Sequence, residues 1–315
     1  VLAYIIDSLG APGEIRGVPV PEPGEGQVRV RVQAAGVNPV DAFSAQGFMR
    51  EMAEHRLPLI PGTDASGVVD AVGSGVVDVD PGDEVFGSAG KTYFGEGTYA
   101  EYAVMSAAAI TRKPAKLSHA EAAALPTPGA TALTLLDAAP VSAGRTVLVV
   151  GATGGVGSIL VQLAAGHGAT VIAVCRGENA EYARELGAAH VIDYTAGNTE
   201  EALAALRPGR ISALLDTSGD KDLVTGLSTH LEPDGRVASC ALGADEQTLT
   251  DRGLTAVNTM TMVTTAALTG MAEQIGQGRL RPPQLETLSL DQASAALDQA
   301  LARHTRGKLI LSMTG

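Results

Sequence analysis

The chain has 315 residues, is rich in Ala, Gly and Val, and carries a formal charge of −13 with no Trp. That length is enough for two domains with sizeable cores. The acidic balance argues against a nucleic-acid or anionic-membrane partner, yet it leaves room for an anionic cofactor at a locally positive site.

Residues 1 to about 112 read as β-rich. Gln27-Val28-Arg29-Val30-Arg31-Val32 alternates apolar and polar, as a half-buried strand does. Ala65 to Gly73 and Asp83 to Phe86 read as further short strands, and Pro61-Gly62, Pro81-Gly82-Asp83 and Gly95-Glu96-Gly97 read as turns. A small twisted barrel is the natural expectation. From about residue 118 the pattern changes. Ser118-His119-Ala120-Glu121 is a capping box opening an Ala-rich helix. Buried strands then alternate with helices, which predicts a doubly wound parallel sheet.

The most specific signal lies there. Val147-Leu148-Val149-Val150 runs into Gly151-Ala152-Thr153-Gly154-Gly155-Val156-Gly157, followed by a helical stripe of Val156, Ile159, Leu160 and Leu163. Strand, glycine turn and helix form a dinucleotide-binding context: glycines let backbone approach a pyrophosphate, and the helix N–H groups and dipole stabilise its charge. The spacing fits Ala152-x-Gly154-x-x-Gly157, so alanine replaces the first glycine and a different turn is expected. The next strand, Thr170 to Val174, ends at Cys175-Arg176. An NAD site carries Asp or Glu at this tip for the ribose 2′-hydroxyl, whereas a guanidinium favours a 2′-phosphate. NADP(H) is therefore expected over NAD(H), the alternative being a solvated Arg at a strand end; Glu178 nearby either partly neutralises Arg176 or simply starts the helix that follows.

The only cysteines, Cys175 and Cys240, fall at predicted strand ends, so no disulfide framework is expected and a reducing cytosol fits. No Cys-x-x-Cys run offers a four-thiolate zinc site, no apolar run reaches membrane-span length, and no signal peptide is visible. Val1 does not read as a translational start, which leaves room for a short N-terminal loss. Gly276 to Pro283 reads as a loop or hinge. The helix over about 291–304 leads into Lys308-Leu309-Ile310-Leu311, a strand expected to return to the first domain.

Several segments together resemble the medium-chain dehydrogenase/reductase superfamily, in its zinc-independent quinone oxidoreductase (zeta-crystallin-like) branch. They are Ala34-Ala35-Gly36-Val37-Asn38-Pro39-Val40-Asp41, Pro61-Gly62-Thr63-Asp64-Ala65-Ser66-Gly67-Val68-Val69, Pro81-Gly82-Asp83-Glu84-Val85, Gly97-Thr98-Tyr99-Ala100-Glu101-Tyr102, Gly129-Ala130-Thr131-Ala132, the glycine loop, Leu186-Gly187-Ala188 and Gly307 to Leu311. The resemblance implies an α/β chain: a GroES-like β-barrel domain over 1–115 completed by about 265–315, and a Rossmann domain over 116–264. It places the cofactor in the cleft between them. Zinc-dependent relatives place Cys after the first motif and His-Glu after the Pro-Gly of the second. Here Asn38-Pro39-Val40-Asp41 and Thr63-Asp64 stand at those points, so no metal is expected. His55, His119, His167, His190, His230 and His304 read as surface or packing residues.

The activity implied is hydride transfer from NADPH to a quinone or conjugated enone. Two alternatives stay open: an enoyl reductase acting on a polyketide-type substrate, and a crystallin-like protein that holds NADPH without turnover. By resemblance, Asn38 sits beside the nicotinamide ribose and bonds the acceptor oxygen, with a turn-stabilising role as its alternative. Asp41 reads as a helix cap. Phe43 and Met49 stand where relatives carry substrate-facing tyrosines, which leaves a more apolar pocket and no proton donor. Tyr93, in the loop Ser88 to Gly97, is the candidate donor, against a surface-packing alternative. Carried over likewise, Thr131 faces the nicotinamide, and Gly154, Gly155 and Val156 hold the pyrophosphate. Arg176 and Tyr194 flank the 2′-phosphate, and Ser218, Ala241, Leu242 and Gly243 line the strand ends. Lys308 either reaches the cofactor or packs its stem. A cytosolic homodimer joined at Rossmann sheet edges is expected.

Overall fold

A computed structural model describes residues 1–139, 141–303 and 305–313. The chain divides into two compact units, Val1–Ala130 with Met262–Gly315, and Thr131–Thr261.

The first unit opens with β1 (Leu2–Ile5) and β2 (Glu14–Gly17), an antiparallel pair. Its spine is β3 (Gln27–Gly36), where Val28, Val30 and Val32 alternate inward and are at most 2% exposed. Then come α1 (Pro39–Gln46), β4 (Glu54–Ile60), β5 (Asp64–Val72), β6 (Glu84–Ser88), β7 (Tyr93–Glu96), β8 (Tyr102–Ser106) and β9 (Ile110–Arg112). Two helices follow, α2 (His119–Ala123) and α3 (Pro126–Ala138). The capping box at α2 forms as expected: Ser118 N–H donates to Glu121 Oε2 at 2.8 Å, and Glu121 N–H donates to Ser118 Oγ at 3.2 Å. Gly36 has to be glycine, because a Cβ there would lie 2.4 Å from the Ala123 carbonyl oxygen. This close approach seats α2 on β3. It also explains why the unit runs to residue 130, past the change of pattern near 116.

The second unit alternates strand and helix: β10 (Thr146–Val150), α4 (Gly155–Gly166), β11 (Thr170–Cys175), α5 (Ala180–Glu185), β12 (His190–Asp193), α6 (Thr199–Leu206), β13 (Ile211–Asp216), α7 (Lys221–Leu227), β14 (Leu231–Ser239), α8 (Glu246–Asp251) and β15 (Thr255–Asn258). The described residues form one parallel sheet in the order β12-β11-β10-β13-β14-β15. The order reverses at β10, and ligands of open parallel sheets bind outside the strand ends at such a switch point. Leu148, Ile172, Leu214 and Val237 form its core; each is at most 1% exposed.

The chain then returns to the first unit through α9 (Thr265–Gly276), β16 (Leu285–Ser289), α10 (Ala293–Ala302) and β17 (Lys308–Ser312). The last strand pairs antiparallel with β3, as expected. The sheet order is β16-β17-β3-β5-β6-β9, with β8 also pairing β3. Ala293, Ala296, Leu297 and Ala300 line one face of α10 and join Ala42 and Ala45 of α1 in the core.

Candidate functional site

Three adjacent strands bring the main cluster of the first unit together. Asn38 lies just beyond the end of β3. Asp64 opens β5, opposite Gly36, and Lys308 opens β17, whose Ile310 also lies opposite Gly36. Asn38, Asp41, Asp64 and Lys308 are all buried, at 4% exposure or less. Asn38 Nδ2 donates to Asp64 Oδ2 at 2.9 Å, and Lys308 Nζ donates to Asn38 Oδ1. Asp64 also accepts from Thr127, from its N–H at 3.0 Å and its hydroxyl at 2.7 Å, in the first turn of α3.

Asp41 does close the start of α1, accepting from Asn38 N–H at 2.8 Å. Its role is larger than a cap, because it also accepts from the Thr63 hydroxyl and from Tyr99 Oη at 3.1 Å. Burial pushes its carboxyl up to about 6, and Asp64 adds to the rise, while Thr63, Asn38 and Lys308 work against it. Burial likewise raises the Asp64 carboxyl and lowers the Lys308 ammonium, each against the opposite charge of the other. Buried Tyr99 is held in its phenol form, by desolvation first and then by the Asp41 charge.

The other candidates of this unit lie elsewhere. Phe43 is half-buried on α1, with its ring centroid 6.3 Å from that of exposed Phe48 and the Arg303 guanidinium 5.3 Å from its own. It projects about 160° around the helix from Asp41 at 100° per residue. Met49 is half-buried in the turn after α1. Tyr93 is in β7 rather than a loop, paired with β4. Its hydroxyl donates to Glu96 Oε2 at 2.7 Å, and the Arg56 guanidinium lies 3.6 Å from its ring centroid. Burial and Glu96 raise the Tyr93 phenol above its ordinary value. The hydrogen bonds of Asn38 do not include Tyr93.

In the second unit the glycine turn is displaced by one residue. Gly151 takes φ +75°, and a Cβ there would lie 2.4 Å from Thr217 Oγ1; Ala152 is fully buried. So the positive φ sits one residue before the alanine, which resolves the departure in the motif. A Cβ on Gly157 would fall 2.2 Å from the Gly151 carbonyl oxygen, so glycine lets α4 start tight against the turn. Gly154 is the N-cap and gives no side-chain cap, so the first N–H groups of α4, from Gly155 and Val156 onward, suit a pyrophosphate. Val156 is half-buried, whereas Ile159, Leu160 and Leu163 form the packed face.

Arg176 follows β11, and its Nε donates to Tyr194 Oη at 3.1 Å, so the two residues named for the 2′-phosphate are brought together. Asp193 lies close by, but its Oδ1 accepts from Thr195 N–H at 2.9 Å and Thr195 Oγ1 at 2.6 Å. Those bonds and the Gly177 N–H hold its carboxyl below the usual range.

A buried carboxylate that sequence reasoning passed over organises the remaining strand ends. Asp216, fully buried at the end of β13, accepts from Ser218 N–H at 2.8 Å, Ser218 Oγ at 2.7 Å, Gly219 N–H at 3.2 Å and Ser239 Oγ at 2.6 Å. Ser239 Oγ in turn accepts from Ala241 N–H at 3.1 Å and Gly243 N–H at 2.9 Å. A Cβ on Gly243 would meet Asp216 Oδ2 at 2.2 Å. Between them Leu242 has φ +61° and is 67% exposed, a strained and exposed apolar residue of the kind found at ligand clamps. The sequence signal was an acidic residue ending an otherwise apolar strand. Thr131 is buried in α3.

Among the described residues no group of three or more His, Cys, Asp or Glu side chains could hold a metal ion. His119 Nδ1 contacts Ser66 Oγ at 2.8 Å, and burial lowers its imidazole. His55 Nδ1 contacts the Ala53 carbonyl oxygen at 3.0 Å, His167 and His190 are exposed, and His230 is half-buried. His304 lies outside the described residues. Cys175 is buried, which pushes its thiol up to about 11. No helix of the described residues is long and apolar enough to cross a membrane.

A barrel unit and a switch-point sheet with a glycine turn suit a dinucleotide-dependent enzyme, and the relatives make it a nicotinamide-dependent oxidoreductase. The comparisons agree. Residues 24–115 match the alcohol dehydrogenase GroES-like domain, and residues 155–275 match the zinc-binding dehydrogenase domain. A chloroplastic quinone-oxidoreductase of Triphysaria versicolor is 30% identical over 93% of this chain and 92% of its own. A chloroplastic NADPH-dependent alkenal/one oxidoreductase of Arabidopsis thaliana is 39% identical over 64% of this chain, and the match spans only 52% of that relative. The solved quinone oxidoreductase of Coxiella burnetii superposes with a TM-score of 0.88 at 28% identity, covering 99% of each chain. The chain belongs to the medium-chain dehydrogenase/reductase superfamily, in its quinone oxidoreductase branch, and is an oxidoreductase.

Proposed function

We propose that this protein reduces a quinone or a conjugated enone with NADPH, without a metal. The observation that carries the cofactor choice is the Arg176–Tyr194 pair at the tip of β11, where an NAD site would offer a carboxylate. Two acids lie near the pair: Asp193, which is already engaged by Thr195 and Gly177, and Glu178, which acts on the Arg176 guanidinium. Gly154, Gly155 and Val156 take the pyrophosphate; Ser218, Ala241, Leu242 and Gly243 form the strand-end wall, and Thr131 faces the nicotinamide.

The bound dihydronicotinamide supplies the hydride. Asn38 donates a hydrogen bond to the acceptor oxygen, where negative charge develops as the hydride arrives. Phe43 and Met49, set apart from the Asn38 cluster, are the proposed apolar surface for the outer part of a flat or bulky acceptor. Water is the proton source for the resulting enolate or phenolate; Tyr93, whose hydroxyl donates to Glu96, is the alternative and would have to break that bond to serve. The enone reading is supported by the name of the Arabidopsis relative. We extend the reading to a cytosolic homodimer paired along β15, an edge of the parallel sheet beside Met260, which is 77% exposed. Light scattering that shows only monomer removes the dimer.

The test is NADPH oxidation by chelator-treated protein, with a polycyclic quinone, a bulky enone, and NADH as control. Quinone turnover with NADPH supports the reading. Enone turnover alone makes the protein an enoyl reductase, and tight NADPH binding with neither acceptor reduced favours a non-catalytic role.

A further inference from the structure

The Asn38 amide is held at both ends by opposite charges. Its Nδ2 donates to the Asp64 carboxylate, and its Oδ1 accepts from the Lys308 ammonium. A side-chain amide turned by 180° keeps its shape and exchanges donor for acceptor. Here that turn would set N–H against ammonium and carbonyl oxygen against carboxylate. Both contacts are repulsive, and both would lie among groups at most 4% exposed, where charge is poorly screened. One orientation of the amide is therefore strongly preferred.

Asp64 is itself anchored. Thr127 N–H and Thr127 Oγ1 tie it to the first turn of α3, and Gly36 opposite it is fixed by the approach of α2. Lys308 is anchored by the strand it begins, since its N–H donates to the Gln284 carbonyl at 2.8 Å and Val37 N–H donates to the Leu309 carbonyl at 2.9 Å. An amide nitrogen carries two hydrogens. Asp64 takes one, and the other remains for a ligand.

We infer that Lys308 and Asp64 are positioning residues that lock the Asn38 amide with its nitrogen toward Asp64, so that one N–H is always available to the acceptor oxygen. The inference rests on the proposed role of Asn38. The ammonium on Oδ1 also draws electron density from the amide nitrogen, which strengthens the remaining N–H as a donor when the acceptor becomes an oxyanion. Lys308 thereby acts through Asn38, neither reaching the cofactor nor merely packing its stem. The geometry assigns Asp64 the same role from the other side.

The test is a kinetic double-mutant cycle on the full chain with NADPH and a polycyclic quinone, using Asn38→Ala, Lys308→Met and the double variant. Lys308→Met should lower kcat about tenfold and change the KM for NADPH less than about twofold. In the Asn38→Ala background the same change should lower kcat less than about twofold. A purely structural lysine would lower turnover equally in both backgrounds, and that result overturns the inference while leaving the role of Asn38 intact. If Asn38→Ala alone leaves kcat unchanged, the role of Asn38 falls and the inference falls with it. Should Lys308→Met not fold by thermal melting, Asp64→Asn enters the same cycle. It keeps a carbonyl acceptor for Asn38 Nδ2 and Thr127, and it should lose kcat only where Asn38 is present.

Discussion

Asp216 and Asp64 are both fully buried carboxylates at a strand terminus, yet they serve their units differently. Asp216 is satisfied by neutral donors, two N–H groups and two hydroxyls, and it ties the ends of β13 and β14 to each other. Asp64 holds a side chain, and that side chain holds a lysine. In the proposed reading the parallel-sheet unit binds its cofactor through backbone, and a carboxylate that fixes turns serves that need. In the same reading the barrel unit works through one amide, and a clamp of opposite charges serves it. A buried charge paired only with dipoles stabilises shape, whereas one paired through an amide to an opposite charge sets direction.

The largest expected effect breaks the first half of that comparison. Asp216→Ala leaves four donors, among them the buried Ser239 hydroxyl, without their acceptor and should destabilise the protein by about 3–5 kcal/mol in urea unfolding. Asp216→Asn keeps a carbonyl and should lose less than half as much. Next, Arg176→Ala should weaken NADPH about 10- to 100-fold by calorimetric titration and NADH no more than about twofold. Equal losses would take Arg176 out of the phosphate site.

A third test sharpens the second half through pH. The native carboxyl of Asp41 sits at about 6 against an ordinary 3.8, so the folded state holds this proton more tightly. The stability this contributes is complete below pH 3.8 and drains away as pH rises toward about 6. Asp41→Asn has no such proton to lose. Relative to the variant, wild type should therefore weaken between about pH 4 and 6 and hold a constant difference above about 7. A difference that is flat across the range would show that Asp41 is ionised throughout. The smallest effect concerns Tyr93. With its hydroxyl spent on Glu96, Tyr93→Phe should change kcat by less than about twofold. A fall above about tenfold would identify it as the proton donor.

Local chemistry was legible without coordinates wherever one segment carried its own cause. The capping box at Ser118, the strand running into Gly151, the apolar stripe of α4 and the return of β17 all follow from short-range pattern. Asn38 and Arg176 were legible as candidates because each stands at a fixed point in a motif. Partners were not legible. Asn38 and Lys308 are 270 residues apart in sequence, and only the pairing of β17 and β5 on either side of β3 brings lysine, amide and carboxylate together. Tyr93 read as a loop residue because Gly90, Gly95 and Gly97 flank it, and its pairing with β4 could not be seen in a four-residue strand. Asp216 drew no role from the sequence, since nothing in its own segment names Ser239. The sequence by itself determined the long elements, the division into two units and a dinucleotide cofactor, because periodicity, caps and glycine turns act within a few residues. Tertiary structure alone decided which buried charges meet, because burial makes each charge depend on a partner that a distant strand delivers.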